Sequence, residues 1–423
     1  MKNKNKKGYG RNYWALALEG ASFVGGISIM SVGGFVALFI NDMTGSEVLV
    51  GLAITMQQLL MLVGTLVMAP YVHSIRNLPK FMFKRMALQR VLPLFMALPL
   101  FFMLEPMTAV IIFLILYALF WLLDGILTMT WGELSARALS PEMRGHMMGM
   151  QLAVGGAVSL ITGLFLVWLF VTPAETANFR FSVAFVLTAV LLLTSLIFIR
   201  MVKDPKPINN PKKASPRIYY SKIPALIKSN KPLQHALLAR IPGYIGFSAM
   251  AFILVFGVNT LDVSVAQEAW LIYAKIVGGL ISGILLGWVS RRLGNKTVII
   301  VCNLGVIITL GLSILLAQYN SLGYIWLFAL CMLAAIWHNN WLGYFNYFLD
   351  IAPPKDRPAF QLIGSGIGVP FSFFGFVLGA VIERWGYTAA FLTGIVAAFI
   401  AIIFSLRLLS RQRIKKLKHI SQS

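Results

Sequence analysis

Acidic side chains are scarce in this chain: 14 Asp and Glu stand against 36 Lys and Arg, and charged residues fill only 12% of its 423 positions. Soluble domains run nearer a quarter charged, so an ordinary water-soluble protein is excluded. Cysteine is almost missing. Cys302 and Cys331 both fall inside apolar runs, so no disulfide framework is implied. Cys and His do not recur at metal-ligand spacing, and P-loop, HExxH and Gly-x-Ser-x-Gly patterns are lacking. With no nucleophile, metal or phosphate-loop constellation, neither an enzyme nor an ATP-driven pump is expected, and no metal or cofactor.

Apolar residues are what the chain has instead: 58% of the total, with a mean hydropathy of +0.80. A spanning helix needs about 20 mostly apolar residues, and twelve runs of that kind can be read, at 12–40, 46–72, 86–104, 106–131, 145–171, 179–201, 233–258, 266–290, 297–317, 321–348, 359–382 and 386–409. The formal charge of +22 would suggest nucleic acid in a soluble protein, but here the basic residues fall on alternate loops. Five precede the first run, five (Arg76, Lys80, Lys84, Arg85, Arg90) are assigned between the second and third, ten lie from Arg200 to Arg240, and six from Arg407 to Lys418. The opposite loops hold Asp42, Glu47, Glu105, Glu175, Asp262, Glu268 and Glu383. Basic loops stay on the cytoplasmic side. Both termini and the central connector are therefore expected inside, in contact with anionic lipid, with no nucleic-acid partner. The polybasic start mimics a signal peptide, but its apolar run is too long for one and lacks a small-residue cleavage site, so it is read as a retained first helix.

The two halves repeat. Pro141-Glu142-Met143-Arg144-Gly145 and Pro354-Lys355-Asp356-Arg357-Pro358, 213 positions apart, each follow the fourth run of their half and open the fifth. The fold expected is all-α and membrane-integral, with twelve helices in two pseudo-symmetric six-helix bundles. The layout is a cytoplasmic N-terminus (1–11), a first bundle (12–201), a Pro- and Lys-rich linker (202–232), a second bundle (233–409) and a basic tail (410–423). Within the linker, Ile218, Ile223, Leu226 and Ile227 among Lys222 and Lys228 suggest a short amphipathic helix on the membrane surface, or a plain tether.

These features resemble the major facilitator superfamily over nearly the whole chain. That family carries a Gly-x-x-x-Asp-Arg-x-Gly-Arg-Lys loop between helices 2 and 3 and again between helices 8 and 9. The second copy here is Gly287 to Lys296, with Arg291 where the family has Asp; the first, from Ala69 through Arg76 to Lys80, is more eroded. The departure puts one cytoplasmic latch in doubt, not the fold. Met43-Thr44-Gly45-Ser46 and Pro79-Lys80 are similar to a bacterial branch of unassigned substrate, which implies a bacterial cytoplasmic (inner) membrane. Helix 5 has glycines (Gly145, Gly149, Gly155, Gly156, Gly163) but none of the prolines of the family's drug–proton antiporters.

An ionisable group inside a span is presumed functional. Glu19 is a candidate proton or substrate ligand, or a carboxyl held near the gate. Asp124 is a candidate for the same work, or a helix-packing contact bonded to Trp131 or Tyr117. Lys275 would attract an anionic group, pair with Asp124, or snorkel outward. In the tenth run Trp337, His338, Asn339 and Trp341 offer rings and amides to a polar solute. On one continuous helix Trp337, Trp341 and Tyr344 share a face and His338 and Asn339 lie round from it. Gln57, Gln58 and Gln151 are candidates of the same kind, and Tyr244 and Tyr273 weaker ones. Arg144, Arg357, Arg291 and Arg292 are expected at a cytoplasmic gate, the first two bonded to helix-end carbonyls, Glu133, Glu142 or Asp350. The function expected is alternating-access transport of a small organic solute by a monomer, driven by a proton gradient, with facilitated uniport equally compatible with the residues. The alternatives are multidrug or amphiphile efflux, a lipid flippase, and a transport-dead receptor.

Overall fold

The computed structural model describes every residue except 1, 31, 140, 172–175, 205–214, 262, 319–322, 354–356, 367, 369–370, 372, 411 and 415–423. Its helices are α1 (Lys2–Ile27), α2 (Ala37–Thr44), α3 (Glu47–Met68), α4 (Leu78–Phe101), α5 (Pro106–Ala138), α6 (Pro141–Val171), α7 (Ala177–Met201), α8 (Pro216–Ser221), α9 (Ile223–Ser229), α10 (Lys231–Met250), α11 (Ile253–Leu261), α12 (Val265–Leu293), α13 (Asn295–Gln318), α14 (Gly323–His338), α15 (Trp341–Ile351), α16 (Arg357–Gly366) and α17 (Phe374–Leu406). Nine helical segments among the described residues are long and apolar enough to cross a membrane. Large apolar side chains such as Ile161, Trp168, Ile284, Ile325 and Phe399 lie more than half exposed. Only a lipid environment accommodates so wide an apolar exterior.

Several of the expected spans are broken rather than continuous. A turn and the π-helical stretch Val32–Val36 separate α1 from α2, Ala251 and Phe252 separate α10 from α11, and residues 339–340 separate α14 from α15. Spans 11 and 12 meet inside α17 at Gly386, whose φ of 79° lies in the left-handed region that a side chain would strain.

The chain forms two compact units, one of Met1–Ser31, Asp42–Thr44 and Leu60–Pro216, the other of Val32–Asn41, Gly45–Leu59 and Arg217–Ser423. In the first, α1 packs on α6 and α7, and α4 on α5 and α7. Leu16, Met82, Met86, Leu134, Met147 and Ile199 belong to one buried cluster there. In the second, α10 packs on α17, α12 on α14, and α13 on α14 and α17. The linker contains α8 and α9, and Ile223, Leu226 and Ile227 of α9 pack against a buried cluster that includes Leu233, Tyr347 and Phe360. That apolar face is thus partly covered by protein.

Span 3 starts earlier than the apolar run suggests. Asn77 caps α4, its Oδ1 accepting the Lys80 N–H at 3.1 Å, and Pro79 follows in the first turn. Arg90, assigned to a loop by charge counting, is therefore twelve residues inside a helix and only 3% exposed. At the far end of the same hairpin Glu105 caps α5 with the N–H groups of Thr108 (2.8 Å) and Met107 (3.1 Å). Those bonds hold its carboxyl below the usual carboxylate range.

Close helix approach in the first unit depends on glycine. A Cβ on Gly125 would fall on the Met61 carbonyl, and one on Gly64 on the Leu122 carbonyl. Overpacking a tight contact costs about 1–3 kcal/mol. Gly125→Leu should therefore lower the melting temperature in detergent, while Gly132→Leu, where a Cβ meets nothing within 4 Å, should leave it near wild type.

Candidate functional site

The first unit holds a buried polar chain across four helices. Glu19 of α1 accepts from the Trp131 indole N–H of α5 at 2.8 Å and lies 3.7 Å from the Arg90 Nη2 of α4. Arg90 Nη1 donates to Gln89 Oε1 at 2.8 Å, and Gln89 Nε2 donates to Asp124 Oδ1 of α5 at 2.9 Å. Ser195 of α7 sits 3.4 Å from Arg90 Nε, and the Phe23 ring lies 4.5 Å from the guanidinium carbon. Glu19, Gln89, Arg90 and Asp124 are each 5% exposed or less. Charge-assisted bonds in such surroundings are strong, and leaving one partner behind is costly. The chain runs carboxyl, guanidinium, amide, carboxyl, so both acids are joined through Arg90 and Gln89. Trp131 serves Glu19, not Asp124.

Gln89 and Arg90 were not picked from the sequence as candidates. Arg90 sits six and five residues beyond Lys84 and Arg85 and was counted with their loop. The Asn77–Pro79 start signal would have placed it inside the helix.

The second unit carries a different set. Lys275 of α12 is half-buried, and Gly278 and Ser282 on its face meet α14: the Ser282 Oγ donates to the Ile336 carbonyl at 2.6 Å. His338 ends α14 with its side chain exposed, Asn339 is half-buried, and Asn340 is buried with its Oδ1 unpaired among the described residues. The helix break changes the expected faces. Trp337 packs where a Cβ on Gly305 would be, Trp341 is 56% exposed, and Tyr344 is 2% exposed. A continuous-helix projection does not carry across residues 339–340. Arg240 of α10, counted with the linker by charge, lies 5.1 Å from the Tyr344 ring centre and donates to Tyr244 Oη at 3.0 Å.

Another polar cluster of the second unit joins α3 to α17. Glu47 Oε1 accepts from Tyr387 Oη and from Asn259 Nδ2 (2.9 Å), and Asn259 Oδ1 accepts from Asn41 at 3.0 Å. Glu383 Oε1 accepts from the Val48 N–H at 2.9 Å and from Ser46 Oγ at 3.1 Å. A Cβ on Gly51 would fall on the Gly375 carbonyl, so the two helices touch backbone to backbone. Sequence alone treated these as loop acids.

The remaining candidates are dispersed. Gln151 donates to the Leu16 carbonyl at 2.8 Å and straps α6 to α1. Gln57 and Gln58 are half-buried, the latter with its Oε1 unpaired among the described residues. Tyr273 has an edge contact with Trp270 at 5.7 Å. The side chains of Arg144, Arg291 and Arg357 lie outside the described residues, while Arg292 is exposed at the end of α12. Of the acids expected near Arg144 and Arg357, Glu133 pairs with Arg137 at 2.7 Å and Asp350 accepts from Asn295 at 2.7 Å.

A family model described as Major Facilitator Superfamily matches residues 18–338 and, in a second match, 236–422. No curated protein sequence matches the chain. Solved structures similar in fold include a D-xylose–proton symporter (14% identity, 93% of this chain and 97% of that one, TM-score 0.67). The nucleoside transporter NupG is another (11%, 94% and 98%, 0.66). A POT family transporter in complex with 5-aminolevulinic acid is a third (13%, 95% and 95%, 0.65).

Breaking a buried ion pair by removing one partner costs about 3–5 kcal/mol, whereas removing both costs less. Arg90→Ala should lower thermal stability by that order, and Glu19→Gln combined with Arg90→Gln should recover part of the loss. Equal melting temperatures for Arg90→Ala and wild type would dissolve the cluster as a structural unit.

Proposed function

This chain belongs to the major facilitator superfamily, and from that premise we propose that it couples the movement of a small organic solute to protons by alternating access. As a member it is a multi-pass membrane protein and a secondary transporter with a small-molecule substrate, not an enzyme. The proton coupling, and the residues that carry it, are our reading. The observation behind it is the charge count of the buried chain in the first unit. Two carboxyls face one guanidinium, with no other described side chain in ion-pair contact with them. One negative charge is left over among apolar helices, where an unpaired charge is costly. A single proton neutralises it, and moving that proton changes the net charge of the bundle's core.

Coupling requires that proton and solute bind the two access states unequally. Glu19 and Asp124 lie on α1 and α5, which are helices 1 and 4 of the first bundle. Rearrangement of those helices would separate Gln89 from Asp124 or Glu19 from Arg90. Either event alters how well the leftover charge is compensated. The alternation of basic and acidic loops supports a cytoplasmic location for both termini and for α8 and α9. The loop similarity to a bacterial branch supports a bacterial cytoplasmic membrane, and the protein is taken to work as a monomer. Arg144, Arg291, Arg292 and Arg357 fall on the basic side and are assigned to its gate.

The test is uptake into proteoliposomes with an imposed proton gradient. Asp124→Asn should abolish gradient-driven accumulation while sparing exchange of solute for solute. Accumulation by Asp124→Asn equal to wild type would remove the carboxyl, and with it the proposed coupling site.

A further inference from the structure

We propose that the transported solute carries an anionic group, a carboxylate or a phosphate, and that Lys275, on the face of α12 that packs against α14, is its counter-charge. The proposal rests on the transporter reading above and names the class of solute.

Lys275 is ten residues after the first residue of α12 and eighteen before its last. At 1.5 Å per residue it is about 15 Å from one end and about 27 Å from the other. A four-carbon stem reaches only roughly 6 Å, so the ammonium cannot snorkel to either end of the helix. A cation at that depth is retained when it is paired or when it faces a pathway. Among the described residues no carboxylate lies within ion-pair distance of it; the described ion pairs belong to Arg90 and Arg137.

Its surroundings are built for a ligand's charge rather than for a protein one. Lys275, Gly278 and Ser282 follow the i, i+3, i+7 spacing of one helix face. That face lies on α14, where a Cβ on Gly278 would meet the Met332 carbonyl and Ser282 is bonded to Ile336. Among the described residues the titratable groups that interact with it are Cys331 and His338, neither of which supplies a negative counter-charge. The lysine is not sealed in. It is half-buried, and its Nζ is not among the buried nitrogens that lack a partner.

The break adds a second feature. α14 ends at His338, and α15 starts at Trp341 with Asn340 making no side-chain cap bond. The Leu342 and Gly343 N–H groups already donate to the Asn339 and Asn340 carbonyls (3.1 and 3.0 Å), so what the break offers a solute is the polar side chains of Asn339 and Asn340. His338 and Trp341 are both exposed there, so space reaches the break. Broken helices near mid-membrane are where transporters place substrate. Arg240 adds a further guanidinium to the second unit, described only against rings and a phenol, so this unit's interior offers positive charge where the first unit's offers a surplus carboxyl.

Thermal shift of the purified full-length protein tests the proposal, with succinate, glutamate and inorganic phosphate as anionic probes, xylose and uridine as neutral ones, and choline as the cation. At least one anion should stabilise wild type by mass action. Lys275→Gln should weaken it by about tenfold or more, and Lys275→Arg should restore it. Lys275→Met keeps the apolar stem and serves as the folded control if Lys275→Gln melts early. The proposal is overturned if only neutral or cationic probes stabilise, if no anion does, or if the shift is unchanged in both Lys275→Gln and Lys275→Met. A neutral solute transported with proton coupling intact would sink the anion and leave the transporter reading standing. An anion bound normally by a protein without coupling would do the reverse.

Discussion

A guanidinium set among apolar helices constrains everything around it. Arg90 is 3% exposed, and two other helices answer it, α1 with the Glu19 carboxylate and the Phe23 ring and α7 with the Ser195 hydroxyl. Burying that cation without compensation is prohibitive. The positions of α1 and α7 around α4 are therefore tied to one another through it. Gln89 extends the tie, because its amide both accepts from Arg90 and donates to Asp124. A change of protonation at either carboxyl is felt at the other through this pair. That is the physical content of coupling in the first unit: one electrostatic chain with more acid than base, held by helices that can move.

The second unit is organised by close backbone contact and by helix breaks. Gly51 against Gly375, with Thr55 Oγ1 accepting the Phe376 N–H at 2.9 Å, lets residues 47–55 of α3 touch residues 375–379 of α17. The clamp of Glu47, Asn259, Tyr387 and Asn41 closes one end of that contact. Its carboxyl is met by neutral donors, so the closure is made of hydrogen bonds that can be exchanged for water. Elsewhere in the unit the chain interrupts its own helices, at residues 251–252 and 339–340, and the polar residues Asn339 and Asn340 occupy the second gap. Freed backbone groups in a membrane are tolerated where protein or a water-filled cavity satisfies them.

Much of the fold was legible because lipid imposes simple rules on sequence. Apolar run length, basic loop alternation and the paired Pro-x-x-Arg breaks sufficed for an all-helical transporter fold. Glu19 and Asp124 stood out because a carboxylate within an apolar run is costly and so is presumed functional. Arg90 did not, because, four residues into the run 86–104 and close behind Lys84 and Arg85, it looked like one more loop cation; the start of α4 at Leu78 places it twelve residues inside the helix. Glu47, Asn259 and Tyr387 were illegible for a different reason. Polar groups near helix ends are unremarkable until tertiary contact brings residues 212 and 340 positions apart onto one oxygen. Likewise the break after His338 has no glycine or proline to announce it, so the face assigned to Trp337, Trp341 and Tyr344 followed a helix that does not continue.

The account stands most directly on the proton held by the Glu19–Arg90–Gln89–Asp124 chain. Infrared difference spectroscopy of the protein in lipid, recorded between mildly acidic and mildly alkaline pH, reads the protonated carboxyl itself. The account predicts a protonated-carboxyl band that appears on acidification and is lost or shifted in both Asp124→Asn and Glu19→Gln. A spectrum in which neither substitution changes that band would contradict it.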